Sequence, residues 1–291
     1  MIKDLAGTAQ YIADWIKERA RIAHATTLVV GVSGGVDSAL VIALCKQTGV
    51  HTVGVMMPCH SSSHSLDRGK ELLEKFWVPS HTVVLDEAHR TIAGQICGEI
   101  PADHSLGLSA ISREAQGALR SCLRAPTLDY VGKVYNGIIV GTGNRDEDEV
   151  TRYFQKRGDG CVDISPIAGL HKSEVYQLAK FLGVPSSILD ATPTADLWGP
   201  DSGQTDEGQL GITYPEVEWG IRLADKFGGT RKEHFYSALD NAGYNDATGP
   251  DLTDRQFHVL KTLGQMEAAS RHKENPGLPV CPIRTQTQLV E

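Results

Sequence analysis

The chain has 291 residues, 41% of them apolar, which is enough to bury one large core or two small ones without disulfide support. With 28 basic against 36 acidic residues its formal charge is −8, which disfavours a nucleic-acid surface, and no apolar run approaches the length of a membrane span. The six cysteines (Cys45, Cys59, Cys97, Cys122, Cys161, Cys281) form no C-x-x-C pair, so neither a zinc ribbon nor a dithiol motif is indicated, and buried thiols in a reducing, cytoplasmic compartment are expected.

The first residues, MIKDLAGTAQYIADWIKERARIA, carry charge throughout and space their apolar positions at three and four, which predicts an amphipathic helix over about 2–24 and not a signal peptide. TTLVVGV (26–32) crowds β-branched residues into a first strand, and the stretch from Asp37 to Thr48, apolar nearly all round, predicts a buried helix. HTVGVMMP (51–58) predicts a second strand, SLDRGKELLEKFW (65–77) a helix, and PSHTVVLD (79–86) a third strand. Helices near 86–97 and from Ser109 to Val134 lead to a fourth strand, YNGIIVGTGN (135–144), which ends in a Gly-rich turn. Apolar strands alternating with helices predict an α/β fold, a doubly wound parallel sheet of about five strands with helices on both faces.

HKSEVYQLAKFLGVP (171–185) reads as a helix with a glycine stop and a proline beyond it. Residues 191–211 have no period and are rich in turn formers, too long for an ordinary connection, and predict a functional loop or lid. Helices near 215–227, 231–241 and 252–273 and a polar tail from Asn275 complete a single domain, 1–291, without internal repeats.

The string VVGVSGGVDSAL (29–40) carries the first chemistry. Ser33, Gly34 and Gly35 fall where a strand ends and a helix begins, so free N–H groups favour an anion, glycines admit close approach, and Ser33 and Ser38 add hydroxyls. The lysine of the common phosphate loop is absent. An aspartate in its place, Asp37, fits a cradle that receives its phosphate with Mg2+, although capping of the helix is the plain alternative for a glycine pair alone.

The six residues S-G-G-V-D-S (33–38) resemble the pyrophosphate loop of the ATP pyrophosphatases, which cleave ATP between the α and β phosphates and adenylate a substrate. VGTGNRDEDEVTRYFQKRGDG (140–160), VDISPIAGLHKSEV (162–175), PTADLW (193–198) and GQTDEGQLG (203–211) resemble the NAD synthetases segment by segment and in order, over roughly residues 25–275. The resemblance implies amidation of nicotinic acid adenine dinucleotide to NAD through an adenylate, with Mg2+ as cofactor, ATP as co-substrate, ammonia as nitrogen donor, no covalent enzyme intermediate and a homodimer in which the 110–134 helix is an interface element. The added glutaminase domain of glutamine-using members has no counterpart in this sequence, so free ammonia is the expected donor.

The same resemblance places Gly31, Ser33, Gly34, Gly35, Asp37, Ser38, Thr142, Lys172 and Thr194 on ATP, and Arg124, Lys156, Asp163, His272 and Lys273 on the dinucleotide. Asp37 and Glu147 become the metal carboxylates, with Asp148 and Glu149 able to exchange with Glu147. Counting back from Lys156 slips the register by one, which implies a one-residue insertion. The family's R-x-R-M string is LRSCLRAPTL here, so Cys122 stands at the first arginine position and only Arg124 aligns, with Arg120 a short shift away. Without the resemblance each of these has a plainer reading: surface lysines, a turn aspartate, a loop hydroxyl, and basic residues complementing a helix dipole. A tRNA-modifying ATP pyrophosphatase and a non-catalytic nucleotide-binding regulator remain the alternatives; His60 and His64 among serines read as a polar loop and not a zinc site.

Overall fold

The computed structural model describes residues 1–99, 108–194, 197, 204–243, 252–274 and 277–283. Helix α1 (Leu5–Ile22) is capped by the Asp4 carboxylate on the Gly7 N–H and leads to β1 (Thr27–Gly31), α2 (Val36–Gln47), β2 (His51–Met56), α3 (Ser63–Lys75) and β3 (Ser80–Thr82). Then come α4 (Asp86–Glu99), α5 (Leu108–Val134), β4 (Gly137–Val140) and a π-helical turn, Asp146–Thr151. The remainder is helical: α6 (Lys172–Phe181), α7 (Ser186–Leu189), α8 (Asp206–Leu210), α9 (Tyr214–Asp225), α10 (Lys232–Gly243) and α11 (Asp254–Ser270).

The sheet is parallel with order β3-β2-β1-β4, so the chain reverses its winding between β1 and β4. Four strands form among the described residues, where about five were expected. The fifth is reduced to bridges pairing Ile164 with Val140 and Ser165 with Val280, because Pro166 follows at once and has no N–H to continue a ladder. The third strand also stops short, although the Val83 and Leu85 N–H groups still reach the carbonyls of Met56 and Pro58 at 2.9 and 2.8 Å. The tail expected to be polar from Asn275 instead buries Cys281 and Ile283.

Both faces of the sheet are covered. Leu28 and Val30 point into a core with α1, α2 and α6, whereas Val29, Val53, Val55 and Ile139 face Leu128 and Val131 of α5. The predicted all-round apolar character of α2 follows from this, since Ala39, Leu40, Val41, Ile42 and Leu44 are all buried. A separate cluster unites α9, α10 and α11 around Phe235, Leu260 and Leu263, and Val150 of the π-helical turn inserts into it.

Helix α9 starts with a reciprocal cap: Glu216 accepts the Thr213 N–H at 2.8 Å while Thr213 Oγ1 accepts the Glu216 N–H. Arg255 of α11 donates to both Glu216 oxygens at 2.6 and 2.7 Å. These hydrogen bonds, Arg255's first, outweigh partial burial and hold the Glu216 carboxyl at about 2, below its ordinary 4.5. A depressed folded pKa stabilises above the unfolded value and is lost as pH falls through the folded one. Glu216→Gln should therefore destabilise the protein at pH 7, and in urea titrations the difference should narrow from about pH 4.5 and vanish near pH 2.

Candidate active site

Beyond Gly31 the chain turns through Ser33–Gly35 into α2. Gly34 has a φ of +81°, and a Cβ there would stand 2.2 Å from the Ser65 carbonyl oxygen, so the position requires glycine. Ser33 Oγ accepts the Gly35 N–H at 3.2 Å and lies 3.1 Å from Ser38 Oγ, which donates to the Gly35 carbonyl at 3.0 Å. Arg68 of α3 donates to the Gly34 carbonyl at 3.0 Å and brings a guanidinium to the loop. Gly35 offers no side-chain cap, so the first N–H groups of the 12-residue α2 remain open to an anion.

The facing wall is the β4 turn. Asn144 Oδ1 accepts the N–H groups of Asp146 and Glu147 at 3.0 and 3.2 Å, and its Nδ2 donates to Asp37 Oδ1 at 2.9 Å. The Asp146–Thr151 segment is wound as a π-helical turn, a local widening often found at functional sites. That turn aims Glu147 at Asp37. Asp148 fills the space beside Gly143, where a Cβ would meet its Oδ2 at 2.2 Å.

The third component is Lys172, the first residue of α6. Its ammonium donates to Asp37 Oδ2 at 2.6 Å and Glu147 Oε1 at 2.8 Å, and lies 4.7 Å from the Tyr214 ring centre. The Tyr214 hydroxyl donates to Glu147 at 2.7 Å. Buried Asp146 accepts the Lys172 N–H at 2.8 Å and holds His171 Nδ1 at 2.6 Å. Arg145 donates to His171 Nε2 at 2.9 Å, so that nitrogen accepts, the ring proton sits on Nδ1, and the imidazole is neutral.

Burial opposes the Lys172 charge, but Asp37 and Glu147 outweigh it and raise its pKa. Glu147 is burdened by burial yet lowered overall by Lys172 and Tyr214, whereas burial prevails at Asp37 and raises it. Asp148 is pushed well up by burial and then by the neighbouring carboxylates Glu147, Asp159 and Asp37. Two carboxylates thus meet one ammonium, and Asp148 adds a third acid beside them.

Asp37, Glu147, Asp148 and Lys172 line one cavity of about 250 Å3 with Gly31, Ser33, Gly35, Ser38, Thr142, Thr194, Arg68 and Arg124. Gly34 shapes the turn from behind. Of the two candidate arginines, Arg124 faces the cavity and Arg120 donates to the Leu197 carbonyl at 2.6 Å. Lys156, Asp163 and His272 are not brought to the cavity: Lys156 binds the carbonyls of His272 and Glu274, Asp163 accepts the Ile139 N–H at 2.8 Å, and His272 faces the Ala269 carbonyl. Lys273 lines an adjoining cavity of about 440 Å3 and donates to the Arg152 and Phe154 carbonyls. The expected 191–211 loop contains α8 and the Thr194 hydroxyl bonded to the Gln204 carbonyl at 3.1 Å; residues 195, 196 and 198–203 lie outside the described residues. Sequence reasoning missed Arg68, Asn144, His171 and Tyr214, of which only Asn144 carried a signal, its place in the Gly-rich turn.

An anion-binding helix start facing an acidic cluster at the switch point of a doubly wound sheet defines a nucleotide-binding α/β protein. A sequence model described as NAD synthase matches residues 8–238. The NH(3)-dependent NAD(+) synthetase of Alkaliphilus oremlandii is 37% identical over 219 residues, 75% of this chain and 86% of the relative. Among solved structures, NMN synthetase from Francisella tularensis is 27% identical with a TM-score of 0.73, covering 95% of this chain and 98% of that one. The NH3-dependent NAD synthetase from Campylobacter jejuni, 20% identical with a TM-score of 0.67 over 95% and 99% of the two chains, shares the fold. The chain belongs to the NAD synthase family.

Substitutions at three positions test this site. Gly34→Ala should abolish nucleotide binding in calorimetry and cost about 1–3 kcal/mol of stability from backbone strain alone. Lys172→Met strands two half-buried carboxylates and should cost about 3–5 kcal/mol in urea denaturation, part of which Asp37→Asn in the same chain restores.

Proposed function

We propose that the protein amidates nicotinic acid adenine dinucleotide to NAD, with ATP as co-substrate and ammonia as nitrogen donor, releasing AMP and pyrophosphate. The observation that carries this reading is the Asp37–Lys172–Glu147 cluster beside the open start of α2, in a chain of the NAD synthase family whose relatives are named NH(3)-dependent NAD(+) synthetases.

The α2 N–H groups and the Ser33 and Ser38 hydroxyls cradle the β and γ phosphates and leave the α phosphorus toward Arg124. Lys172 and Arg68 offset the charge that develops on the leaving pyrophosphate. A substrate carboxylate oxygen bonds to the α phosphorus as the bond to pyrophosphate breaks. Ammonia nitrogen then bonds to the acyl carbon, AMP leaves, and one proton is released. No side chain becomes covalently attached; the residues orient the reactants and keep water from the adenylate.

Mg2+ fits the donor set, because Asp37 and Glu147 are hard oxygen donors already converging on one cation, the Lys172 ammonium. Bound by these two residues it would polarise the phosphate oxygens. Exposed Tyr130 and Val134 on α5, 73% and 62% accessible, support this helix as the seam of a homodimer. No helix among the described residues is long and apolar enough to cross a membrane.

The deciding assay follows pyrophosphate release and NAD formation with ATP, Mg2+ and the dinucleotide, in the presence of ammonium, of glutamine or of neither. NAD should form with ammonium and not with glutamine, and Asp37→Ala should abolish it. Nicotinic acid mononucleotide run in parallel tests the alternative raised by the name of the Francisella relative. ATP binding without pyrophosphate under any condition would overturn the assignment.

A further inference from the structure

A second group of metal-type ligands lies outside the nucleotide cluster. The connection after β2 packs Cys59 and His60 against His89 of α4, and one donor atom from each lies within 4.8 Å of the other two. Cys59 and His89 are buried and His60 is half-buried. The His89 ring faces the Gln116 carbonyl through Nε2 at 3.3 Å; a carbonyl only accepts, so Nε2 carries the proton and Nδ1 keeps its lone pair.

His60 holds a left-handed φ of 53°, a conformation that a residue with a Cβ adopts only when its surroundings impose it. Asp86 imposes it by accepting the His60 N–H at 2.7 Å, and the same oxygen lies 3.9 Å from His60 Nδ1. A glycine would turn the chain without strain, whereas the histidine here brings an imidazole to the turn. Sulfur and imidazole donors with a carboxylate in reach are the set that tetrahedral zinc favours over hard cations such as Mg2+.

We propose that Cys59, His60 and His89 bind one zinc-class divalent cation, with a solvent oxygen as the fourth ligand, and that the ion pins the β2–α3 connection to α4. Binding releases the thiol proton to solvent. Met57, Pro58 and Ser61 of the same connection line the nucleotide cavity, so the ion braces one wall of the cavity without entering its chemistry.

The test uses the untagged full chain, freed of metal by a chelator and titrated with Co2+. A cobalt–thiolate charge-transfer band with intense tetrahedral d–d absorption should appear, saturate at one ion per chain and be displaced by Zn2+. Cys59→Ser should lose the band, His89→Gln should weaken binding by roughly tenfold or more, and His64→Ala, an exposed histidine nearby, should change neither. Circular dichroism checks that the variants fold, and the unsubstituted titration stands independently of them. Absence of the thiolate band in the unsubstituted chain, or its persistence in Cys59→Ser, would overturn the proposal.

Discussion

The structure depends on one ammonium held between two carboxylates that the sequence keeps far apart. Asp37 leaves the first strand, Glu147 follows the fourth, and Lys172 opens a helix, so the Lys172 contacts fix three elements against one another at 2.6 and 2.8 Å. Lys172 alone would be a buried charge without compensation, and the half-buried carboxylates would repel one another without it, which favours assembly of all three. The arrangement forms at the carboxyl ends of β1 and β4 because the winding of the sheet reverses between these two strands.

Lys172 is itself held from behind. Asp146 fastens the backbone at the start of α6 and orients His171, and Arg145, which donates to that ring, also pairs with Asp225 at 2.7 Å and with Glu149. Since Asp225 ends α9, this chain of contacts joins the cluster to the helical part of the molecule. Tyr214, at the other end of α9, reaches Glu147 directly. The terminal helices are thereby part of the site's scaffold, although few of their side chains face the cavity.

Much of the sheet was legible because β1, β2 and β4 are buried on both faces and are written as continuous β-branched runs. The expected end of the second strand was too generous, since its ladder stops at Met56, before Pro58. The anion loop was legible in SGGVDS, whose glycine at 34 answers a steric demand visible in the turn itself. Glu147 was harder to single out among four consecutive acids, since the direction each one faces is set by a π-turn that composition does not encode. Lys156, Asp163 and His272 drew attention through a family likeness, yet in this chain their polar atoms are engaged with backbone groups away from the cavity. Arg68 and Tyr214 left no sequence signal because their relevance arises only from tertiary proximity.

The bond from Arg120 to the Leu197 carbonyl has an implication for drift in sequence. The acceptor is main chain, so the contact is indifferent to which side chain occupies position 197 and constrains only the path of the backbone there. The donor is specified by its chemistry, since a long side chain ending in an N–H is needed to reach that carbonyl. The two ends of one hydrogen bond are therefore constrained differently: at 120, one turn from the Arg124 that faces the nucleotide cavity, by the need for a donor, and at 197 by the backbone path and by the cavity that Leu197 lines.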